Sequence, residues 1–174
     1  MRFELQFEEN IYKTQMEFLY ELGYGKKIKY YKNSHLFGLA MIILGIVIVS
    51  NKKNIGYVFI VLGLGVLIEY ILFFISQRKL LKKYNIEQTE VINAFNKNPS
   101  ATLEFTDEGL NYSDYTGQKL IAWSDFLSFK IYKENIFLIT NSFQPYVLGK
   151  IEIGNENYDQ LLSFIESRLN KTSC

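Results

Sequence analysis

The stretch Ile46–Phe59, "IVIVSNKKNIGYVF", decides the fold. Four polar residues, Asn51–Asn54, separate two apolar runs. They form either a turn inside a soluble core or the tip of a hairpin that crosses a bilayer. The first run is His35–Ser50, "HLFGLAMIILGIVIVS"; the second is Ile55–Ser76, "IGYVFIVLGLGVLIEYILFFIS". At about 1.5 Å of rise per residue the second spans roughly 30 Å, the thickness of a hydrocarbon core. The first spans roughly 24 Å. It reaches bilayer length when Tyr30 and Tyr31 sit at headgroup level and Lys32 snorkels outward.

Magnitudes separate the two readings. The first run holds ten Leu, Ile, Val or Phe residues and the second fifteen. Insertion is then favourable by roughly 3–6 and 5–9 kcal/mol, before Gly and polar costs. The one carboxylate within the runs, Glu69, costs about 2.5–3.5 kcal/mol at a bilayer centre and less off centre. Insertion wins. A soluble core would have to wrap two helices that are apolar all round, and the rest of the chain is too polar and too small for that. The sequence therefore reads as a two-helix membrane hairpin over 35–76, with helices at 35–50 and 55–76 and a tip at 51–54.

Charge sets the expected orientation. Lys26, Lys27, Lys29 and Lys32 precede the first run, and Arg78, Lys79, Lys82 and Lys83 follow the second. Lys52 and Lys53 lie at the tip. Eight basic residues against two place both termini in the cytoplasm. "MRFELQFEEN" has no apolar h-region, so no cleavable signal peptide is expected. Residues 1–83 carry net +6 and residues 84–174 net −5. A basic half beside apolar runs suits a membrane surface, and the acidic half argues against nucleic acid. The lone cysteine, Cys174, excludes a disulfide within the chain and reads as a tail thiol.

Within the runs, Gly38 and Gly45 are seven residues apart, as are Gly56 and Gly63. Small residues let helix backbones approach, so the hairpin is expected to close along these four glycines, with Gly45 near Gly56. Glu69 is the intramembrane polar candidate, since such carboxylates face protein or water. His35, the single histidine, is expected at the membrane interface.

"RFELQFEE" alternates apolar Phe3, Leu5 and Phe7 with polar residues and predicts a half-buried strand. A short helix follows, closed by Gly23 and Gly25. These make a cytoplasmic segment over 1–34. Residues 77–98 read as a juxtamembrane helix that continues from the membrane and is ended by Asn98-Pro99. From 99 to 174 short strands alternate with turns: "ATLEF", "LNYSD", "KLIAWSDF", "LSFKIYK", "IFLIT" and "PYVLGKIEI". A terminal helix follows, with an apolar stripe of Tyr158, Leu161, Leu162, Ile165 and Leu169. The expected fold is thus a membrane α-helical hairpin plus a cytoplasmic α+β domain, an antiparallel open sheet or partial barrel closed by a C-terminal helix. Trp123 is expected in its core. The strand at residues 2–8 is expected to pair with an edge of the 101–153 sheet, because alone it cannot bury Phe3, Leu5 and Phe7.

"LEFTDEGLNYSDYTGQKLIAWSDFLSFKIYKENIFLIT" carries a strand, "T-x-E-G-L", a turn, an apolar residue two before "W-S-D", and a hairpin. It resembles the C-terminal domain of YcxB-like bacterial membrane proteins, and the order of parts along the whole chain matches. The resemblance implies a pleckstrin-homology-like (PH-like) sheet. Where that family often has "I-P-K-R", this chain reads "VLGKIEI", with Lys150 the one matching basic residue.

No His/Cys/Asp set has metal spacing, no phosphate loop joins a strand to a helix, and no nucleophile sits beside a base. No catalytic residue, cofactor or metal is expected, and the chain does not read as an enzyme. The sequons at Asn111 and Asn170 fall on the expected cytoplasmic side and read as chance. The leading expectation is a multi-pass protein of the bacterial inner membrane whose PH-like module binds a protein partner there. One alternative is an immunity protein against a membrane-active or secreted toxin, which a toxin gene beside this one would favour. Another is a small channel or transporter component using Glu69. Besides the lipid bilayer and the unidentified protein, a second copy of the chain is a candidate partner.

Overall fold

A computed structural model describes residues 1–169, leaving the Asn170 sequon and Cys174 outside the described residues. The chain divides into two compact units, Gly23–Thr89 and Met1–Leu22 with the chain from Glu90 onward.

The first unit contains the two apolar helices. Helix α2 runs Ser34–Ser50 and helix α3 runs Ile55–Phe95; α1, Glu9–Tyr31, precedes them. Each apolar segment is long and apolar enough to cross a membrane, and only 11% and 6% of their most apolar stretches are buried. The α2–α3 turn closes on Lys52 at φ 60°. Asn51 there donates its side-chain amide to the Val47 carbonyl, 2.9 Å away.

The second unit is built on strands. β1 (Arg2–Gln6), β2 (Ser100–Phe105), β3 (Gly109–Asp114) and β4 (Gly117–Ala122) form an antiparallel sheet in that order. β5 (Phe126–Tyr132), β6 (Asn135–Thr140) and β7 (Pro145–Gly149) form a second antiparallel sheet. Side chains alternate faces along a strand, so Leu103 and Phe105 of β2, Leu110 of β3, and Ile136 and Leu138 of β6 enter one core. Helix α5, Asn155–Leu169, adds Tyr158, Leu161, Ile165 and Leu169 from its apolar stripe. The N-terminal strand joins this unit: Phe3 of β1 lies opposite Leu103 of β2, and Leu5 opposite Ala101.

Three local expectations are corrected. α1 does not stop at Gly23 or Gly25 but continues to Tyr31. Neither glycine adopts the positive φ of a helix cap, and an interior glycine costs only about 1 kcal/mol. α3, by contrast, carries on past the apolar run without a break and ends at Phe95. "KLIAWSDF" is not one strand. Trp123–Asp125 form a 3₁₀ turn between β4 and β5, where the chain passes from one sheet to the other. "PYVLGKIEI" ends its strand at Gly149, and Lys150–Ile153 coil into a short helix, α4, whose Glu152 carboxylate accepts the Gly149 N–H.

Candidate functional site

The hairpin residues come first. Gly38, Gly45, Gly56 and Gly63 are buried where α2 meets α3. A Cβ on Gly45 would stand 2.7 Å from the Gly56 carbonyl oxygen, and one on Gly63 2.7 Å from that of Gly38. Only a bare Cα permits this approach. Gly65, in contrast, has open space around it. Glu69 is exposed beside Ile68, itself 57% exposed. His35 stacks at a tilt on Tyr70, 4.8 Å between centroids, and its buried Nδ1 has no partner.

Trp123 is buried in the core of the strand unit. Its Nε1 donates to the Thr106 carbonyl at 3.1 Å, and its ring meets Phe105, Phe126 and Phe164.

The strand unit also holds a cavity of about 350 Å³ that no sequence motif announced. Strand alternation puts Leu110, Tyr112 and Asp114 of β3 on one face. Leu110 enters the core, Tyr112 lines the cavity wall and Asp114 follows it. β7 contributes Tyr146 by the same period, two residues before buried Leu148. Tyr112 and Tyr146 meet edge to face at 5.0 Å, across the two sheets. Helix spacing places Tyr12, Gln15 and Met16 of α1 on the opposing side. Phe95, near the end of α3, stacks on Phe7 at 4.8 Å and takes the edge of Tyr115, also at 4.8 Å. Phe7 in turn touches Tyr12.

The electrostatics of the cavity are acidic. Glu8, Asp114 and Glu152 line it against one cation, Lys119. Burial pushes the Tyr12 phenol up to about 12, with Tyr115 adding to the effect. Burial also raises Tyr112 and Tyr146, and the Asp114 carboxylate raises both further, accepting a hydrogen bond from Tyr112. These three phenols therefore stay neutral at ordinary pH. Asp114 is itself oriented by Thr116, whose backbone N–H donates to Oδ1 at 2.7 Å.

Glu152 forms the other polar wall. Its Oε2 accepts from Gln15 Nε2 at 2.5 Å and from the Gly149 N–H at 2.7 Å. Gln15 is a buried polar side chain, 6% exposed. Burial raises the Glu152 carboxyl despite these two donors, and nearby Glu8 adds to the rise. Among the described residues no three His, Cys, Asp or Glu side chains gather as a metal-holding group. The arrangement offers aromatic walls, phenolic hydroxyls and negative charge.

Sequence reasoning missed this cavity. Tyr112 and Asp114 stand two apart in "LNYSD", a legible shared face, but nothing local says that Tyr146 and Tyr12 converge on them. No protein-family model matches the chain, and neither does any curated protein or solved structure.

Proposed function

We propose that the chain is a bilayer-anchored binding module. The α2–α3 hairpin inserts into the bacterial inner membrane, both ends lie in the cytoplasm, and the strand unit binds a protein there. One observation carries the anchoring: large apolar side chains cover the hairpin and stay bare. Phe37 is 61% exposed, Leu36 58%, Val61 67% and Leu72 61%. In water each would cost about what burial of such a side chain returns, roughly 1.5–3 kcal/mol. A bilayer removes that cost. The YcxB-like resemblance of residues 103–140 supports the same reading.

For the partner, the strand unit offers the outer edge of β4, which ends its sheet. Gln118, Lys119 and Leu120 are exposed along it. Unpaired edges accept an added strand. A photo-crosslinking residue at position 118, in cells, is expected to yield a discrete protein adduct that Leu120→Pro abolishes. Absence of any adduct, or an adduct indifferent to the proline, rejects this edge as the docking surface.

Glu69 supports a second reading. It is exposed on an apolar helix and makes no hydrogen bond or ion pair among the described residues. A second copy of the chain would cover it, and a water-filled path between copies would make it a channel component. Glu69→Gln keeps the shape and removes the charge. Unchanged oligomer size and unchanged ion flux in proteoliposomes would remove the support for this reading.

A further inference from the structure

We infer that the tyrosine-walled cavity of the strand unit binds a small organic ammonium cation. Three observations converge on that ligand. The cavity, about 350 Å³, falls within the range of small-molecule sites. Its walls are aromatic: Tyr112 meets Tyr146, and Phe95 joins Phe7 to Tyr115. Ring faces carry the negative end of the aromatic quadrupole and attract alkylammonium groups. Its charge is negative, since Asp114, Glu8 and Glu152 face one cation, Lys119.

Each alternative fails on the same residues. An anion would meet three carboxylates. A bare metal ion would find no gathered His, Cys, Asp or Glu group among the described residues, and the walls hold mainly rings. Asp114 is the groups' common electrostatic centre. It holds the Tyr112 hydroxyl, and its charge acts on both Tyr112 and Tyr146. Glu152 is engaged by Gln15 and Gly149 and Asp114 by Thr116; Asp114, which lines the cavity with Tyr112 and Tyr115, is assigned as the counter-ion. Tyr115, 37% exposed, forms the accessible part of the wall. The site uses no residue of the hairpin over 35–76, so its failure leaves the anchoring reading untouched.

The test is calorimetric titration of the full chain in nanodiscs free of choline lipids. The probes are tetramethylammonium, choline and 3,3-dimethylbutan-1-ol, the uncharged carbon isostere of choline. Saturable binding of both cations is expected, with the isostere at least about tenfold weaker. Asp114→Asn keeps an Oδ1 acceptor for Thr116 but loses the charge, and Tyr115→Leu loses a ring. Each is expected to weaken choline about tenfold or more while unfolding at the wild-type temperature. Nanodiscs with choline headgroups separate two sources of the same chemistry. Unchanged affinity for free choline assigns a solute; weakening by competition assigns the headgroup. Equal affinity for the uncharged isostere overturns the inference. So does the absence of saturable heat with either cation, or wild-type affinity in both variants.

Discussion

Glu152 ties three segments together through one carboxylate oxygen, which receives the Gln15 amide of α1 and the Gly149 N–H at the end of β7. A Cβ on Gly149 would sit 2.7 Å from Asn135 Oδ1 and 3.1 Å from Glu152 Oε2, so the turn has no room for a side chain. The pH dependence follows from the raised Glu152 carboxyl. A carboxyl raised in the folded state binds its proton more tightly there than in the unfolded chain. Its contribution to stability is therefore largest at low pH and is lost as pH rises through the folded pKa. Glu152→Gln cannot ionise, and its amide oxygen still accepts both donors. The melting temperature of the variant should rise relative to wild type between about pH 4 and pH 7. A constant difference across that range, in parallel melts, contradicts the account. Trp123 gives a second residue-scale expectation. Trp123→Phe leaves the half-buried Thr106 carbonyl without its 3.1 Å donor and should destabilise the strand unit by about 1 kcal/mol in denaturant unfolding. The buried position of Trp123 was legible from the apolar pattern around it. The role of Glu152 was not, because "KIEI" alternates like a strand and its helical form depends on the cap closed by Glu152 itself.

At the scale of elements, β1 and the hairpin make separate predictions. β1 pairs along Ser100–Glu104 of β2, and its Phe3 meets Phe105 edge to face at 6.1 Å. Deleting residues 1–9 removes Phe3, Leu5 and Phe7 together and exposes the β2 edge. The strand unit should then become protease-sensitive while the protein still fractionates with membranes. Equal resistance with and without the segment contradicts the pairing. In the hairpin, Gly45→Leu drives a side chain into the Gly56 carbonyl and Ile60. Overpacking of this kind costs about 1–3 kcal/mol, read as a lower melting temperature in detergent. Gly65→Ala meets nothing within 4 Å and should melt like wild type. Apolar runs, strand alternation and the α5 stripe were readable because each is a local period. The full length of α1 and the break at Trp123–Asp125 were not. The first depends on glycines that do not cap, the second on a change of sheet fixed by distant packing.

For the whole molecule the segregation of charge and apolar residues was legible, whereas the cavity was not, since its walls are gathered from β1, α1, α3, β3 and β7. The account's central claim is that bare apolar residues on α2 and α3 lie in a bilayer, with the Lys52–Lys53 tip on the side opposite both chain ends. Cysteine labelling tests it most directly. In a Cys174→Ser background, one variant carries Lys53→Cys at the tip and another carries Lys130→Cys on β5, both at exposed positions. Spheroplasts are treated with a membrane-impermeant maleimide before or after permeabilisation. Labelling of Lys53→Cys in intact spheroplasts, with Lys130→Cys labelled only after permeabilisation, is the predicted result; identical behaviour of the two positions, or release of the protein from membranes by alkaline carbonate, would contradict it.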